Sequence, residues 1–174
     1  MSIATIIADA AVAAGLQLKQ AEVHGMSQRG GEVESGLRLS DSVIFSDLLS
    51  SGSADMILSM EPMEALRYLP FLAKDGYIVT STAPFRNIPD YPEEAVRSAY
   101  KVLPNTVGID IETLARDNSM PRSANMILLG AAARHIGILT PEQLKESIRR
   151  VFGRKGAQVV ETNLRAFDIG MDAR

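Results

Sequence analysis

The stretch between residues 22 and 36 concentrates groups that are able to hold a polar ligand. It reads EVHGMSQRGGEVESG and places three glycines, a histidine and an arginine within residues 24–31. Successive N–H groups of a glycine-rich turn can surround an anion, while Arg29 supplies a fork of donors and His24 a titratable ring. A plain connection between two strands has the same composition, with glycines at positive φ and polar side chains in water. Since the spacing is neither GxGxxG nor a P-loop, both interpretations stay open.

A second set of polar residues follows the predicted ends of two buried strands. In open α/β sheets, ligands gather at the carboxyl ends of the strands. The same residues also suit simpler roles: the acidic pair complements a helix dipole, the hydroxyls belong to a polar loop, and the amide is a satisfied buried contact. The candidates that would line such a crevice are Glu61, Pro62, Glu64, Thr80, Ser81, Thr82 and Asn125.

Hydrophobic periodicity supplies the elements that must position these groups. A period of two predicts strands over residues 17–23 and 32–40, with pairing continuing into 43–45, and continuous apolar runs predict buried strands. Those buried strands are expected over 54–60, 76–81 and 105–111. Helices are expected over 2–14, from Pro62, over 92–101, over 123–136, from a capping box at Thr140–Gln143, and over 156–168. Strands that alternate with helices indicate parallel α/β units.

The predicted fold class is therefore α/β. We expect one three-layer, Rossmann-like domain over residues 1–174, with a mixed, largely parallel sheet and an antiparallel addition from residues 17–45.

Composition excludes several classes of function. A net charge of −3 without a basic stripe argues against a nucleic-acid partner, and no apolar run approaches the roughly 20 residues of a membrane span. The chain has no cysteine, which rules out disulfides, thiolate catalysis and iron–sulfur ligation by this chain. His24 and His135 are far apart, so no metal-ligand spacing exists, and no catalytic triad is visible. The opening residues lack a signal peptide, which predicts a cytoplasmic protein.

Four segments of the sequence resemble one known family. They are QAEVHGMSQRGG at 20–31, MEPMEALRYL at 60–69, ANMILLGAAA at 124–133 and IRRVFGRKGAQVVETNLRAF at 148–167. In this order they resemble the β subunit of indolepyruvate ferredoxin oxidoreductase, which is related to the γ subunit or domain of pyruvate and 2-oxoacid:ferredoxin oxidoreductases. The resemblance covers nearly the whole chain.

This resemblance implies a complex that oxidatively decarboxylates arylpyruvates to an acyl-CoA and passes electrons to ferredoxin. Because the chain has no cysteine and no thiamine diphosphate motif, thiamine diphosphate and [4Fe–4S] clusters are expected on a large α subunit, with CoA as co-substrate. The chain would be inactive alone. When isolated, it could form a homodimer. The loop implied to face the partner's active site, where Arg29 would meet a carboxylate or phosphate, comprises His24, Gly25, Met26, Ser27, Gln28, Arg29, Gly30 and Gly31.

One departure from the family pattern weakens any cofactor assignment to this chain. Family members usually begin with a strand and a GxGGQG-like turn before the first helix, whereas here the sequence starts at MSI, already within that helix. Two alternative functions stay open beside the enzyme subunit. One is a stand-alone CoA- or nucleotide-binding module, and the other is a structural subunit whose polar loop is only an interface.

Overall fold

The computed structural model describes residues 3–24, 33–85 and 89–173, and it shows an α/β architecture. The five strands are β1 (Gln17–His24), β2 (Val33–Ser40), β3 (Ala54–Ser59), β4 (Leu72–Ser81) and β5 (Thr106–Ile109). The seven α-helices of these ranges are α1 (Ile3–Ala13), α2 (Pro62–Arg67), α3 (Glu93–Val102), α4 (Ile111–Asp117), α5 (Ala124–Ala132), α6 (Pro141–Gly153) and α7 (Ala157–Asp172).

The parallel sheet has the order β3-β4-β5, with β4 in the centre. Successive side chains of a strand point to opposite faces, so Ile78 and Val79 of β4 enter different halves of the core, and both are fully buried. The three predicted strands and their parallel pairing are confirmed, but burial is concentrated in β4, because only Ile57 of β3 and Ile109 of β5 are buried. The carboxyl ends of the strands meet at one edge of the sheet, which brings residues 59–61 and 80–82 into the same region.

The antiparallel hairpin was predicted and is confirmed, but it forms its own two-stranded sheet. Residues of β1 and β2 pair from Gln17↔Ser40 to His24↔Val33, and in the described ranges the hairpin shares no ladder with β3. The predicted continuation of pairing through 43–45 is wrong, because the segment that follows Ser40 is not a strand. Arg38 holds this segment instead, since its Nη1 donates to the carbonyls of Ser46 at 2.7 Å and Leu48 at 3.3 Å.

Helices cover the parallel sheet on both faces. Helices α1, α5, α6 and α7 share the larger apolar core with Val79 and Ile109, whereas α2 and α3 pack with Ile57 and Ile78 on the other face. This arrangement gives the expected three layers. None of the helices in the described part of the chain is long and apolar enough to cross a bilayer.

Local signals fixed several helix ends. Gly15, at φ +76°, follows α1 and adopts a backbone conformation that costs glycine little. The predicted capping box of α6 is confirmed, because Thr140 Oγ1 accepts from the Gln143 N–H while Gln143 Oε1 accepts from the Thr140 N–H. The predicted helix over 123–136 divides into α5 and a short 3-10 turn over Ala133–His135. Helix α7 extends to Asp172, four residues beyond its predicted end at 168.

Candidate functional site

Two cavities open near the carboxyl ends of the parallel strands. The larger one, about 770 Å³, lies between the start of β2 and the outer edge of β3, and the first turn of α2 closes one side. Its wall is mixed: Gly36 and Met56 line the strand side, while Glu61 and Tyr68 line the helix side. Clefts of roughly 300–1,000 Å³ are the usual size of small-molecule sites, so the volume suits a sizeable ligand.

The smaller cavity, about 340 Å³, lies between α3 and the ends of β4 and β5. Thr80 and Gly108 form its floor on the sheet, and Val96 and Tyr100 form its helix wall. Pro84 and Tyr91 line both cavities. The segment that follows β4 therefore separates the two spaces.

Glu61 connects the elements that form both cavities. It is the N-cap of α2, where its Oε2 accepts from the Glu64 N–H at 2.8 Å. Its Oε1 accepts from the Tyr91 hydroxyl at 2.6 Å and from the Phe85 N–H at 3.4 Å. One carboxylate thus caps a helix and also holds the segment after β4 against it.

Sequence reasoning missed two tyrosines of the site. Tyr91 follows the proline-rich run after β4, and Tyr100 donates from α3 to the Pro62 carbonyl at 2.7 Å. Burial raises the pKa of both phenols, and the Glu61 carboxylate raises them further. The pKa of Tyr100 reaches about 12, so both groups stay protonated at neutral pH. The sequence did contain a signal for Tyr100, because it is a tyrosine on the amphipathic helix α3. The hydroxyl of a tyrosine that packs against the core needs a hydrogen-bond partner, and this predicts a polar contact there.

Thr80 is the most unusual of the predicted crevice residues. It is only 2% exposed, and its hydroxyl makes no hydrogen bond to the described residues within 3.5 Å. The nearest group is the Tyr100 phenol, whose pKa the Thr80 hydroxyl lowers as a hydrogen-bonding neighbour, although the contact does not meet the geometry of a formed hydrogen bond. A buried hydroxyl without a partner costs free energy, and Thr80 is a residue that lines the smaller cavity.

The remaining strand-end residues have ordinary local roles as well as their place in the crevice. Pro62 is buried at the first position of α2, and Glu64 pairs with Arg67 at 3.0 Å within the same helix. The Ser81 Oγ accepts from the Ala83 N–H at 3.2 Å, whereas the side chain of Thr82 is exposed. These residues, together with Glu61 and Thr80, are brought together at one end of the sheet.

Asn125 does not join them. It lies on α5, against the opposite face of the sheet, and lines neither cavity.

The predicted glycine-rich loop falls mostly outside the described residues. His24 ends β1, while the positions that follow it up to the start of β2 are not described: Gly25, Met26, Ser27, Gln28, Arg29, Gly30 and Gly31. The strand ends that this loop connects are described, and His24 pairs with Val33. Val33 also lines the larger cavity. The described start of β2 therefore lies at the rim of that cavity.

The donor groups of the described residues do not form a ligand set for a metal or an iron–sulfur cluster. The sequence has no cysteine to ligate an iron–sulfur cluster. Within 3–23, 33–85 and 89–173, no group of three His, Asp or Glu side chains is arranged to hold a metal such as the one that would anchor a diphosphate. Hydroxyls, phenols and the capping carboxylate of Glu61 lie at the centre of the site, and further charged side chains, including Glu64 and Arg97, line the cavities.

The fold and the site define an α/β protein with ligand-sized cavities at the carboxyl ends of its parallel strands. The chain belongs to the pyruvate ferredoxin/flavodoxin oxidoreductase family, whose model matches residues 1–173. The predicted resemblance is confirmed.

Curated relatives support the same assignment over nearly full length. The chain is 34% identical over 185 residues to the indolepyruvate oxidoreductase subunit IorB of Thermococcus kodakarensis, covering 99% of this chain and 89% of the relative. It is 33% identical over 176 residues to the subunit of the same name from Archaeoglobus fulgidus, covering 95% of this chain and 84% of the relative.

Solved structures share the fold. A 2-oxoglutarate:ferredoxin oxidoreductase from Magnetococcus marinus, solved with 2-oxoglutarate, coenzyme A and succinyl-CoA bound, superposes with a TM-score of 0.72 at 21% identity. The match covers 97% of this chain but only 28% of that one. The γ subunit of a keto/oxoacid ferredoxin oxidoreductase from Geobacter sulfurreducens superposes with a TM-score of 0.65 at 22% identity, over 96% of this chain and 86% of that one.

Proposed function

We propose that this chain is the cluster-free subunit of a thiamine diphosphate-dependent, indolepyruvate-type 2-oxoacid:ferredoxin oxidoreductase. It would act as one γ-type domain over residues 1–174 and help to form the arylpyruvate and CoA site for oxidative decarboxylation to acyl-CoA. The observation that carries the proposal is the near-full-length identity of 34% to a subunit named for indolepyruvate oxidation. The proposal includes a cytoplasmic location, since a cysteine-free chain needs no oxidising compartment.

The geometry supports a role in shaping a ligand site. The larger cavity is large enough for a sizeable ligand, and it lies where α/β sheets commonly bind ligands. Val33, which pairs with His24 and begins the strand that follows residues 25–32 in sequence, lines this cavity. Under the proposal, the Arg29 guanidinium meets a carboxylate or phosphate there, and the neighbouring glycines allow the backbone to approach it closely.

The redox and thiamine chemistry belongs to a partner in this proposal. Thiamine diphosphate supplies the electron sink for decarboxylation and iron–sulfur clusters carry electrons to ferredoxin, but this chain has no cysteine for the clusters. A large α subunit would therefore carry both. The contribution of this chain would be to bind, orient and enclose the substrates.

Co-expression with a candidate large α subunit that carries thiamine diphosphate and cysteine-cluster motifs tests the assignment. We expect the purified complex to reduce ferredoxin only when both an arylpyruvate and CoA are present, and either subunit alone to be inactive. Arylpyruvate oxidation by this chain alone would contradict the proposal, and so would a complex that ignores arylpyruvates.

The role of the loop is tested by Arg29→Ala in the same complex. Loss of a cation that meets an anionic substrate group should raise the KM for CoA or for the arylpyruvate by about tenfold or more. The matched control is Arg154→Ala, because Arg154 is exposed at the end of α6 and lines neither cavity. Unchanged kinetic constants for both substrates in the Arg29 variant would show that the loop is not part of the substrate site.

A structural subunit is the second candidate, and one observation favours it. Three large apolar side chains after β2 are strongly exposed: Val43 at 68%, Phe45 at 94% and Leu48 at 70%. Such residues are common in protein interfaces. If Arg29→Ala leaves catalysis intact while Phe45→Asp prevents assembly of the complex, this chain serves as an interface and not as part of the substrate site.

A further inference from the structure

We propose that the smaller cavity receives the aromatic end of the arylpyruvate and that Thr80 hydrogen-bonds its ring N–H. This inference rests on the proposed function and deepens it, because it assigns a specificity pocket within the crevice. It begins from a built cavity of about 340 Å³ whose floor carries a hydroxyl that is 98% buried and has no bonded partner among the described residues.

The size and character of the cavity restrict the ligand. Its volume is at the lower end of the roughly 300–1,000 Å³ found for small-molecule sites. The lining is largely apolar, with Val96, Pro62 and Pro84 beside the rings of two tyrosines. A small flat aromatic group fills such a space with favourable contacts, whereas a charged group would lose its hydration without a buried counter-ion.

The hydrogen-bonding pattern of the walls restricts the ligand further. The Tyr91 hydroxyl gives its proton to Glu61, and the Tyr100 hydroxyl gives its proton to the Pro62 carbonyl. Neither phenol therefore has a proton left to donate into the cavity, and the Met63 N–H already faces the Tyr91 oxygen. The Thr80 oxygen has free lone pairs. A wall rich in acceptors favours a ligand that brings one N–H donor, and an indole ring is an aromatic group of that kind.

The mouth of the cavity suits the other end of the same substrate. Arg97 lines it from α3 and pairs with Glu93 at 3.5 Å, with the guanidinium side chain 64% exposed. An exposed ion pair of this length contributes little, so the guanidinium can turn from Glu93 toward a carboxylate at the entrance. The cavity thus offers acceptors at its floor and a cation at its mouth.

Direct binding of indole to the full chain tests the proposal without any partner subunit. The chain has no tryptophan and four tyrosines, so the fluorescence anisotropy of added indole can be followed without an indole background from the protein. We expect saturable binding, and we expect benzothiophene, which has the same shape but no N–H, to bind roughly three- to tenfold more weakly.

Variants assign the discrimination to Thr80. Thr80→Val keeps the shape and removes the hydroxyl, so indole should bind as weakly as benzothiophene does. Val96→Phe should fill the cavity and abolish binding of both ligands. The matched control is Thr162→Val, because Thr162 bonds within α7 and lines neither cavity; this variant should bind both ligands as the parent chain does. Thermal melts show whether each variant is folded.

Several outcomes would overturn the inference: no saturable binding of indole, equal binding of indole and benzothiophene, or unchanged discrimination in Thr80→Val. The comparison of the two ligands on the unaltered chain needs no variant to fold. Failure here is distinct from failure of the proposed function. If the complex oxidises arylpyruvates but the chain does not bind indole, only the pocket assignment is wrong. If the chain binds indole but the complex is inactive, only the enzyme assignment is wrong.

Discussion

The carboxylate of Glu61 and the hydroxyl of Tyr91 are joined by a hydrogen bond of 2.6 Å between residues 30 positions apart. The same carboxylate caps the first turn of α2. A helix N-terminus favours negative charge and needs acceptors for its free N–H groups, so Glu61 is held in place by the helix that it caps. Tyr91 is in turn fixed between the two cavities.

Glu61→Ala should therefore affect both stability and the site. Loss of the cap and of a charge-assisted hydrogen bond is expected to lower the free energy of unfolding by about 1–3 kcal/mol. Urea denaturation measures this loss. Glu142→Ala is the control, because Glu142 lies in the first turn of α6 but is not its N-cap. If both variants lose the same small amount, the bond to Tyr91 contributes nothing.

The two tyrosines predict an alkaline pH dependence. Their pKa values in the folded chain are raised, chiefly by burial, above the ordinary value near 10, and that of Tyr100 reaches about 12. The native state thus retains protons that the unfolded chain releases. This stability is fully present below pH about 10 and is lost as the pH rises through the folded pKa.

Tyr91→Phe and Tyr100→Phe should each weaken that alkaline loss of stability. Phenolate absorbance provides a direct measurement, since the chain has four tyrosines and no tryptophan. Each variant should lose one titration step that lies above pH 10. If both variants keep all the titration steps above pH 10, the raised pKa values belong to other tyrosines.

The crossing of α5 and α7 predicts a steep penalty for adding a single methyl group. A Cβ on Gly130 would lie 2.0 Å from the Phe167 carbonyl oxygen, and one on Gly170 would lie 1.8 Å from that of Ile127. Backbone cannot yield as a side chain does, so each Gly→Ala change should cost about 3 kcal/mol. Gly153→Ala is the control, because a Cβ at this helical position in α6 meets nothing within 4 Å and should be neutral or stabilising by about 0.5 kcal/mol. Equal midpoints of thermal unfolding in all three variants would show that the helices do not touch here.

Asp9 and Arg150 tie α1 to α6 and predict a small acid dependence. Burial raises the pKa of Asp9, but hydrogen bonds from Arg150 and the nearby Ser147 hydroxyl, together with the Arg150 charge, outweigh it and lower the pKa overall. Arg150 donates to Asp9 Oδ2 at 3.0 Å from Nε and at 2.6 Å from Nη2. A lowered pKa contributes stability that is present above the ordinary pKa near 4 and is lost as the pH falls through the folded value.

Asp9→Asn should remove this contribution, which is at most about 1 kcal/mol for a pair that remains partly exposed to solvent. The difference between the urea midpoints at neutral pH and at pH about 3 should be smaller for the variant than for the parent chain. Asp172→Asn, at the exposed end of α7, serves as the control and should leave the difference between the two midpoints unchanged.

The type and order of most elements followed from local pattern. The apolar run 54–60 predicted the strand β3, and the Thr140 capping box predicted the start of α6, because both signals depend on neighbours in sequence. The predicted continuation of pairing through 43–45 was wrong. The side chain of Arg38 binds the backbone after this segment, and such a contact leaves no local pattern in the sequence. Asn125 lies away from both cavities because α5 covers the other face of the sheet, and nothing local reveals which face a helix covers.

The sequence by itself determined that this chain is an α/β protein without a thiolate and that its polar residues follow the strand ends. Composition and periodicity decide such features one segment at a time. Only the tertiary structure decided that Glu61 meets Tyr91, that Tyr100 meets the Pro62 carbonyl, and that the Thr80 hydroxyl is buried without a partner. Those contacts join residues far apart in the chain, so they exist only once α2, α3 and the sheet have packed together.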